Sequence, residues 1–235
     1  RRLERGELPK TSLPDMIRVA ETLDRIKADG YERVIALPLS SGLSGTHNMI
    51  RLQCEEHKDL TTVVFDTCSG AIPLGGIVLQ LWEDIQEGMS WDELVEQRAP
   101  HLLKNNFPFF SVDTLEYLQK GGRIGKITAL AGTLLSIKPI ITFAPDGQLV
   151  NVAKVRGRKQ VQGKLIELVK EHVGDHRDFN LLVANGGAEE EMKQLKKDLM
   201  AAIPGCRHIW DSHIDATLSV YIGSGVLGAC IQLLD

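Results

Sequence analysis

The sequence is poor in aromatic residues and has neither a long apolar run nor an excess of positive charge. Aromatic residues make up 5% of its 235 positions, and the formal net charge is -4. A chain with this charge lacks the basic surface typical of nucleic-acid-binding proteins, so we expect no DNA or RNA partner. No segment approaches the roughly 20 consecutive apolar residues that cross a bilayer, which predicts no stable membrane insertion.

Cysteine is also scarce, and its four positions are widely separated: Cys54, Cys68, Cys206 and Cys230. Without a Cys-x-x-Cys pair, neither a disulfide framework nor a zinc site is predicted. The seven histidines form no metal-spaced pair on one helix face, so we expect no metal or other cofactor. The first residues lead into no apolar secretory segment, and we therefore expect a cytosolic protein.

Strand-like and amphipathic helical segments alternate along the chain, which is typical of an α/β protein with a largely parallel sheet. In the first half, the pattern predicts helices at 14–28, 44–57 and 71–86 and strands at 33–39 and 62–66. Two strands are few for a doubly wound sheet. We therefore expect either further strands without a clear signal or a missing N-terminal segment.

A capping box at Ser90 and Glu93 opens a helix that runs toward Lys104 and is bent or shortened by Pro100. The Asn-Asn-Phe-Pro segment that follows predicts a boundary between an N-terminal α/β domain at 1–107 and a C-terminal α/β domain at 108–235. In the second domain we expect a strand at 109–112, a capping box at 113–116 and a short helix ending at Gly121.

Beyond that helix, the pattern predicts a helix through residue 134 and a hairpin of strands 140–143 and 149–154 around Pro-Asp-Gly. The remaining expected elements are a helix at 161–172, a strand at 180–184, a helix at 189–202 and a terminal strand–loop–helix.

A Ser-Ser-Gly-Leu-Ser-Gly-Thr loop at 40–46 lies between an apolar strand and a helix. It lacks the lysine of a P-loop, the glycine spacing of a nucleophile elbow and the dinucleotide fingerprint. Backbone N–H groups, a helix N-terminus and several hydroxyls therefore predict a neutral turn that binds a singly charged oxyanion. The alternative is a purely structural turn.

Three other motifs have two readings each. Thr11 and Ser12 form either a helix cap before Pro14 or a second source of hydroxyls. Arg123, after Gly121-Gly122, is either a solvated residue at a helix end or an electrostatic clamp. Four cations at 154–159 form either a solvated helix start or a docking surface for an acidic partner.

Taken in order, these motifs resemble the DegV family of bacterial fatty-acid-binding proteins over essentially the whole chain. The matching segments are Thr11-Ser12-x-Pro14, residues 40–46, Asp66-Thr67, residues 112–124, Ile137-Lys138-Pro139-Ile140, Asp146-Gly147 and residues 154–157. Each motif alone is weak, whereas the ordered set is highly specific.

The resemblance implies an N-terminal Rossmann-like parallel sheet, a C-terminal mixed sheet with helices, and a long-chain fatty acid in a tunnel between the two domains. It implies a lipid-binding protein rather than an enzyme, which in some members presents the fatty acid to an ATP-binding fatty acid kinase subunit. The implied carboxylate-binding residues are Thr11, Ser12, Ser40, Ser41, Ser44, Gly45 and Thr46. Arg123 would assist at the head group, and Arg156 would belong to the kinase-docking surface.

The sequence departs from the family pattern in two places. Members usually carry about 50 further residues before the Thr-Ser-x-Pro motif, including a first strand, so we expect this chain to be a fragment. The C-terminal motif usually begins with a histidine near the carboxylate, where this chain has Tyr221. Tyrosine can donate a hydrogen bond but is not a proton carrier near neutral pH.

For the tunnel walls, apolar character favours residues 71–78 and 130–135, so Ile77→Trp should shorten the bound chain. Two other functions remain open. One is a serine hydrolase or acyltransferase with Ser41 or Ser44 as nucleophile. The other is a regulatory module that senses acyl chains and binds a protein partner.

Overall fold

The structure, a computed structural model, describes Arg5, residues 7–130 and residues 136–235, with the backbone alone for residues 128–130. This part of the chain forms a mixed α/β fold with a two-stranded parallel sheet and a six-stranded mixed sheet. The α/β fold class is therefore confirmed. None of its described helices combines the length and apolar character that a bilayer-crossing segment needs.

The first sheet pairs β1 (Arg33–Ala36) with β2 (Thr61–Val64) in parallel. It packs with α1 (Met16–Ala28) and α2 (Thr46–Glu56), and the core between them contains Leu23, Cys54 and Leu60. Both helices lie within two residues of their predicted bounds. The strands end earlier than predicted, at Ala36 rather than residue 39 and at Val64 rather than residue 66; Pro38, two residues after β1, has no N–H to offer a strand partner.

Helix α3 (Ala71–Gln86) has its predicted bounds and lies between the two sheets. On one side, Ile77 and Leu81 pack with Ile35 of β1 and with the helices that follow α3. On the other side, Gly76 lies so close to Leu182 of the six-stranded sheet that a Cβ would overlap the leucine side chain. Helix α3 thereby joins the two layers.

The helix predicted after residue 90 forms in three stretches: α4 (Trp91–Glu93), a π-helical turn (Leu94–Arg98) and α5 (Ala99–Lys104). The Ser90–Glu93 capping box is confirmed, with both reciprocal hydrogen bonds present. Pro100 lies in the first turn of α5, where its missing N–H is tolerated. The helix is thus interrupted by a widened turn immediately before the proline.

A buried polar network ties this helix to α3 and to the second sheet. Arg98 donates from Nε to Asp84 at 2.7 Å and from Nη1 to the Leu234 carbonyl at 2.7 Å. Asp84 also accepts from Gln80 at 3.1 Å, and Gln80 accepts from Asn180 at 2.9 Å. The Asp84 side chain is only 4% exposed, so its charge depends on the arginine beside it.

The six-stranded sheet has the order β5-β4-β3-β8-β6-β7. Its strands are β3 (Asn106–Ser111), β4 (Ile137–Phe143), β5 (Leu149–Arg156), β6 (Phe179–Gly186), β7 (Ile209–His213) and β8 (Val226–Leu233). Only the β6–β7 pair is parallel among these described strands, so the largely parallel sheet predicted from alternation alone is wrong here. Helices α7 (Lys159–Val173) and α8 (Glu189–Ala202) cover one face.

The predicted hairpin is confirmed, because β4 and β5 pair antiparallel around the turn at Asp146 and Gly147. Two other predictions are wrong. The capping box predicted at 113–116 is not formed in helix α6 (Glu116–Lys120), whose N-cap is Leu115; the Thr114 hydroxyl accepts from the Glu116 N–H at 3.1 Å, and Asp113 accepts from Lys138 at 3.1 Å. The chain also closes with α9 (Ala216–Ile222) and then strand β8, rather than with a helix.

After α6, residues Gly125–Leu130 form a short 3-10 helix. The sequence predicts a helix through residue 134. The last part of that prediction, residues 131–134, lies outside the described residues.

Candidate functional site: a cavity on the six-stranded sheet

A cavity of about 370 Å³ lies on the face of the six-stranded sheet opposite α7 and α8. Its floor consists of residues on five strands: Pro108, Phe109, Phe110, Phe143, Leu149, Leu182, Ala184, Val226, Gly228, Ala229 and Cys230. Its cover consists of residues 11–14, Leu39, Leu43, the N-terminus of α3 and helix α9. The walls are therefore mostly apolar, as in small-molecule sites that bury a hydrocarbon.

The polar lining includes six of the residues predicted from sequence: Thr11, Ser12, Ser44, Thr46, Arg123 and Tyr221. They come from the segment before α1, the loop after β1, the turn after α6 and helix α9. Five of them are neutral hydroxyls, and the sixth is a cation. Such a set can hold a single carboxylate with hydrogen bonds and one charge.

Ser44 and Thr46 lie in the loop that leads into α2. Their hydroxyls are 2.8 Å apart, and the Ser44 oxygen accepts from the Thr46 N–H at 3.2 Å. Gly45 is the N-cap residue between them and does not line the cavity itself. A Cβ on Gly45 would lie 3.6 Å from Leu13, so this turn supports the segment that carries Thr11 and Ser12.

Tyr221 connects the hydroxyls to the arginine. Its hydroxyl is hydrogen-bonded to the Thr11 hydroxyl. The Arg123 guanidinium lies 5.0 Å from the center of the tyrosine ring, a cation–π contact. Arg123 also donates to the carbonyls of Leu43 at 3.1 Å and Gly121 at 2.9 Å. These bonds use Nε and Nη1 and fix the guanidinium at the cavity wall.

Helix α9, which carries Tyr221, and helix α6, which precedes Arg123, interlock through two tyrosines and two glycines. The Tyr221 ring of α9 lies against Gly121 at the end of α6, where a Cβ would overlap the ring. In return, the Tyr117 ring of α6 lies against Gly223 at the end of α9, and a Cβ there would be 2.6 Å from the ring. Gly223 also has a φ of 73°, which favours glycine. The packing sets the position of Tyr221.

Ser40 does not line the cavity. It is fully buried, its hydroxyl donates to the Gly147 carbonyl at 2.7 Å, and it accepts from the Gly42 N–H at 3.3 Å. Gly147 has a φ of 73°, and a Cβ on either glycine would overlap the other segment. Ser40 therefore joins the loop after β1 to the β4–β5 turn, a position that does not suit the predicted contact with a carboxylate.

Ser41 points to a different partner. Its N–H donates to Asp66 at 3.0 Å, and its hydroxyl donates to the same carboxylate. Burial raises the pKa of Asp66. The hydrogen bonds from Ser41 and from the Cys68 N–H together lower it by more, so the net pKa is below its usual value. The Asp66 carboxylate thus stays ionised and holds the ends of β1 and β2 together. Ser41 is absent from the described cavity lining.

These contacts also bear on the hydrolase alternative. The hydroxyl of Ser41 donates to a carboxylate, and that of Ser44 is paired with Thr46. Among the described side chains, neither hydroxyl contacts an imidazole that could act as its general base. This arrangement does not favour Ser41 or Ser44 as a nucleophile.

Arg156 lies at the end of the edge strand β5, away from the cavity, and is exposed. Lys154 and Val152 are also exposed and alternate with it along the strand. Of the four predicted cations, Arg158 is paired with Glu191 at 2.8 Å. Lys154 and Arg156, both exposed on this edge strand, form what we call the basic strip.

The predicted tunnel walls are correct only in part. Ala71, Ile72 and Pro73 line the cavity, whereas Ile77 is fully buried in the core on the other side of α3. The expectation that Ile77→Trp shortens a bound chain is therefore wrong, because a larger side chain would disrupt that core. Residues 131–135 of the second predicted segment lie outside the described residues, as does the side chain of residue 130.

Sequence reasoning missed the floor of the cavity. Val226, Gly228 and Cys230 alternate along β8 and all line it, and Leu182 and Ala184 do the same on β6. Both strands are buried on both faces, so the sequence has no polar–apolar alternation that would mark the face toward the cavity. Burial raises the pKa of the Cys230 thiol, so this residue is a neutral part of the wall.

No group of three or more potential ligands is arranged to hold a metal ion among the described His, Cys, Asp and Glu side chains. The site is thus built from hydroxyls, one guanidinium and an apolar chamber.

Together, the fold and the cavity define a mixed α/β protein with an apolar chamber that has one polar end. The family model described as "Uncharacterised protein, DegV family" matches residues 1–233. The chain belongs to the DegV family. A DegV domain-containing protein of Clostridium acetobutylicum is 36% identical over 225 residues, which cover 96% of this chain and 79% of that relative.

Two solved structures are similar over nearly the whole chain. A fatty-acid-binding DegV family protein from Thermus thermophilus superposes with a TM-score of 0.92 at 26% identity, covering 99% of this chain and 82% of that one. A fatty-acid-binding DegV family protein from Streptococcus agalactiae has a TM-score of 0.87 at 30% identity, covering 97% and 80%.

Proposed function

We propose that this protein binds one long-chain fatty acid, with the carboxylate at the polar end of the cavity and the acyl chain on the sheet. The observation that carries the proposal is the convergence of Thr11, Ser12, Ser44, Thr46, Arg123 and Tyr221 at one chamber that is otherwise apolar. The fatty-acid-binding relatives of the same fold support it.

The affinity would come mainly from the chain. Each buried methylene contributes about 0.8 kcal/mol, so a sixteen-carbon acid gains about 12 kcal/mol before the cost of association, itself about 4–15 kcal/mol. The polar end then selects a carboxylate and sets its direction. Arg123 supplies the single charge, and its bonds to two backbone carbonyls keep it in place; none of the described carboxylates is paired with it.

In this proposal the protein is a non-catalytic, cytosolic carrier without a further cofactor. Exposed Arg156 and its basic strip would dock an ATP-binding fatty acid kinase subunit that phosphorylates the presented carboxylate. Tyr221 would hold the carboxylate where the family usually has histidine, as a hydrogen-bond donor rather than a proton carrier.

Mass spectrometry of the purified chain tests the binding proposal. Under native conditions we expect one additional mass per chain, lost on denaturation and recovered as a long-chain fatty acid in the lipid extract. Tyr221→Ala should reduce this loading, whereas Tyr31→Ala should not, because Tyr31 is 64% exposed and absent from the described lining. A protein that carries no fatty acid and takes up neither palmitate nor oleate would refute the proposal.

The kinase extension needs a separate assay with an added kinase subunit, ATP and fatty-acid-loaded protein. Acyl phosphate formation should fall for Arg156→Glu and persist for Arg177→Glu, an exposed arginine away from β5. Ligand-dependent binding of a partner without acyl phosphate would favour the regulatory function instead.

A further inference from the structure

A second concavity of about 680 Å³ adjoins the cavity and is more open to solvent. We call it the edge groove; it lies between α3 and the edge strand β7. Ala71, Ile72, Ile214 and Leu218 line both spaces. The edge groove therefore adjoins the cavity at the N-terminus of α3 and at the start of α9, where these four residues border both spaces.

The two spaces also share one sheet surface. Pro108, Cys230 and Leu182 are paired neighbours on β3, β8 and β6 and line the cavity, and the next residue in that row is Trp210 of β7, which lines the edge groove. Paired residues in adjacent strands lie on the same face. One row of the cavity floor thus ends at a residue that lines the groove, on an edge strand whose two faces both contribute to the groove.

A second row of paired residues, two positions away along each strand, also leads from the cavity to the edge groove. Phe110, Gly228 and Ala184 line the cavity, and the row ends at Ser212 of β7, which lines the edge groove. Two parallel rows of the sheet therefore lead from one space to the other.

The Arg123 side of the polar end lies toward the other edge of the sheet. Leu43, whose carbonyl binds Arg123, belongs to the same apolar cluster as Phe143 of β4 and Leu149 of β5. Strands are about 4.8 Å apart, so the path from β4 to β6 is about 14 Å and the path to β7 is about 19 Å. An extended polypeptide spans about 3.5 Å per residue over three backbone bonds, which is about 1.2 Å per bond. We apply the same advance to an extended acyl chain. A straight chain that starts beside β4 would therefore reach β6 after about twelve carbons.

The edge groove suits the apolar end of a ligand better than a carboxylate. Leu79 and Trp210 form its apolar walls; Asp211, which also lines it, is paired with Lys196, and Asp215 caps the N-terminus of α9. No lysine or arginine occurs among its described lining residues. A second anionic group would find no cation among these residues, whereas a hydrocarbon would cover Leu79, which is 42% exposed.

We propose that the edge groove holds the terminal carbons of acyl chains longer than about twelve carbons, and so determines which chain lengths the protein binds tightly. This inference rests on the proposed fatty acid binding. It assigns the groove to the far end of the same ligand, and it makes the residues of α3 and β7 determinants of specificity.

Gly75 offers a direct test, because it lines the edge groove but not the cavity, and a Cβ there would meet no atom within 4 Å. Gly75→Leu should fill the groove without disturbing the sheet contact of its neighbour Gly76. The matched control is Gly163→Leu, on α7, which is also helical, exposed and without an atom within 4 Å of a built Cβ.

The measurement is the Kd of delipidated protein for lauric and stearic acid. Each methylene excluded from an apolar site weakens binding about fourfold. For Gly75→Leu we expect the Kd of stearic acid to rise at least about tenfold, while that of lauric acid stays within about twofold of wild type. Gly163→Leu should leave both values unchanged. If Gly75→Leu is poorly folded, Leu79→Trp narrows the same groove from an exposed position.

Equal affinities of wild type and a folded groove variant for both acids would overturn the inference, as would an equal loss for both acids. The proposed function would survive either result, because wild type would still bind. If wild type itself bound neither acid, the proposed function would fail instead.

Discussion

Replacing Ser40 and Ser44 separately by alanine would show that two hydroxyls of one loop have different roles. The Ser40 hydroxyl is fully buried and bonded to the Gly147 carbonyl at 2.7 Å. The Ser44 hydroxyl lines the cavity and contacts Thr46. We expect the first substitution to reduce stability and the second to reduce binding.

The magnitudes follow from these contacts. Ser40→Ala leaves a buried carbonyl without its donor, at a cost of about 1–3 kcal/mol. For a chain of this size, 1 kcal/mol shifts the Tm by about 2–4 °C, so the Tm should fall by about 2–12 °C. Ser40 is absent from the described cavity lining, so the fatty acid Kd should change by less than about threefold. A threefold change corresponds to about 0.7 kcal/mol of binding free energy.

Ser44→Ala should give the opposite pattern. A hydrogen bond to a charged group contributes about 1.5–3 kcal/mol, so the Kd should rise about 10–150-fold. The Thr46 N–H loses one acceptor at the start of α2, which should cost about 0.5–2 kcal/mol and lower the Tm by about 1–8 °C.

Calorimetry of delipidated protein gives the Tm, and titration with palmitate gives the Kd. Ser136→Ala, at an exposed position, is the control and should change neither value. The reasoning would be refuted if Ser40→Ala weakened binding about tenfold or more at an unchanged Tm, since Ser40 would then contact the ligand.

Two further predictions concern hydrogen-bonded carboxylates. Asp66→Asn should lower the free energy of unfolding at pH 7, and the difference from wild type should shrink below about pH 4 in urea titrations, because the folded-state pKa of Asp66 is lowered and its stabilisation is lost as pH falls through that value. Arg98→Met should cost about 3–5 kcal/mol in the same titrations at pH 7, because it leaves the Asp84 carboxylate buried without its cation.

Each of these two predictions has its own control. A pH-independent effect of Asp66→Asn would mean that the charge of the carboxylate does not matter. For the second, the double variant Asp84→Leu/Arg98→Met should recover most of the loss, since no unpaired charge remains. If the double variant were less stable than Arg98→Met alone, packing rather than charge would explain the effect.

Local signals were sufficient for the amphipathic helices. Helices α3 and α8 have their predicted bounds, because glycine or acidic residues mark their first turns and the apolar periodicity ends with them. Strand β8 was missed for the opposite reason. All eight of its residues are buried, and such an apolar run has no alternation that separates a strand from a helix.

For the site, the sequence located the hydroxyl-rich segments but not their partners. Ser40 bonds to a carbonyl 107 positions away, and Ser41 bonds to Asp66 across the first sheet. Asp113 likewise accepts from Lys138, 25 positions further on. These choices depend on which segments the fold brings together, and no short-range pattern encodes them.

The tyrosine–glycine interlock of α6 and α9 has a consequence for how the site can diverge between homologues. Tyr221 fills the space above Gly121, so the histidine that the family resemblance implies at this position would leave part of that space vacant. A substitution that restores the family residue in this protein therefore changes a helix contact as well as a ligand contact. We expect residues 121 and 221 to covary among homologous sequences, because the size of the side chain at one position limits the size at the other.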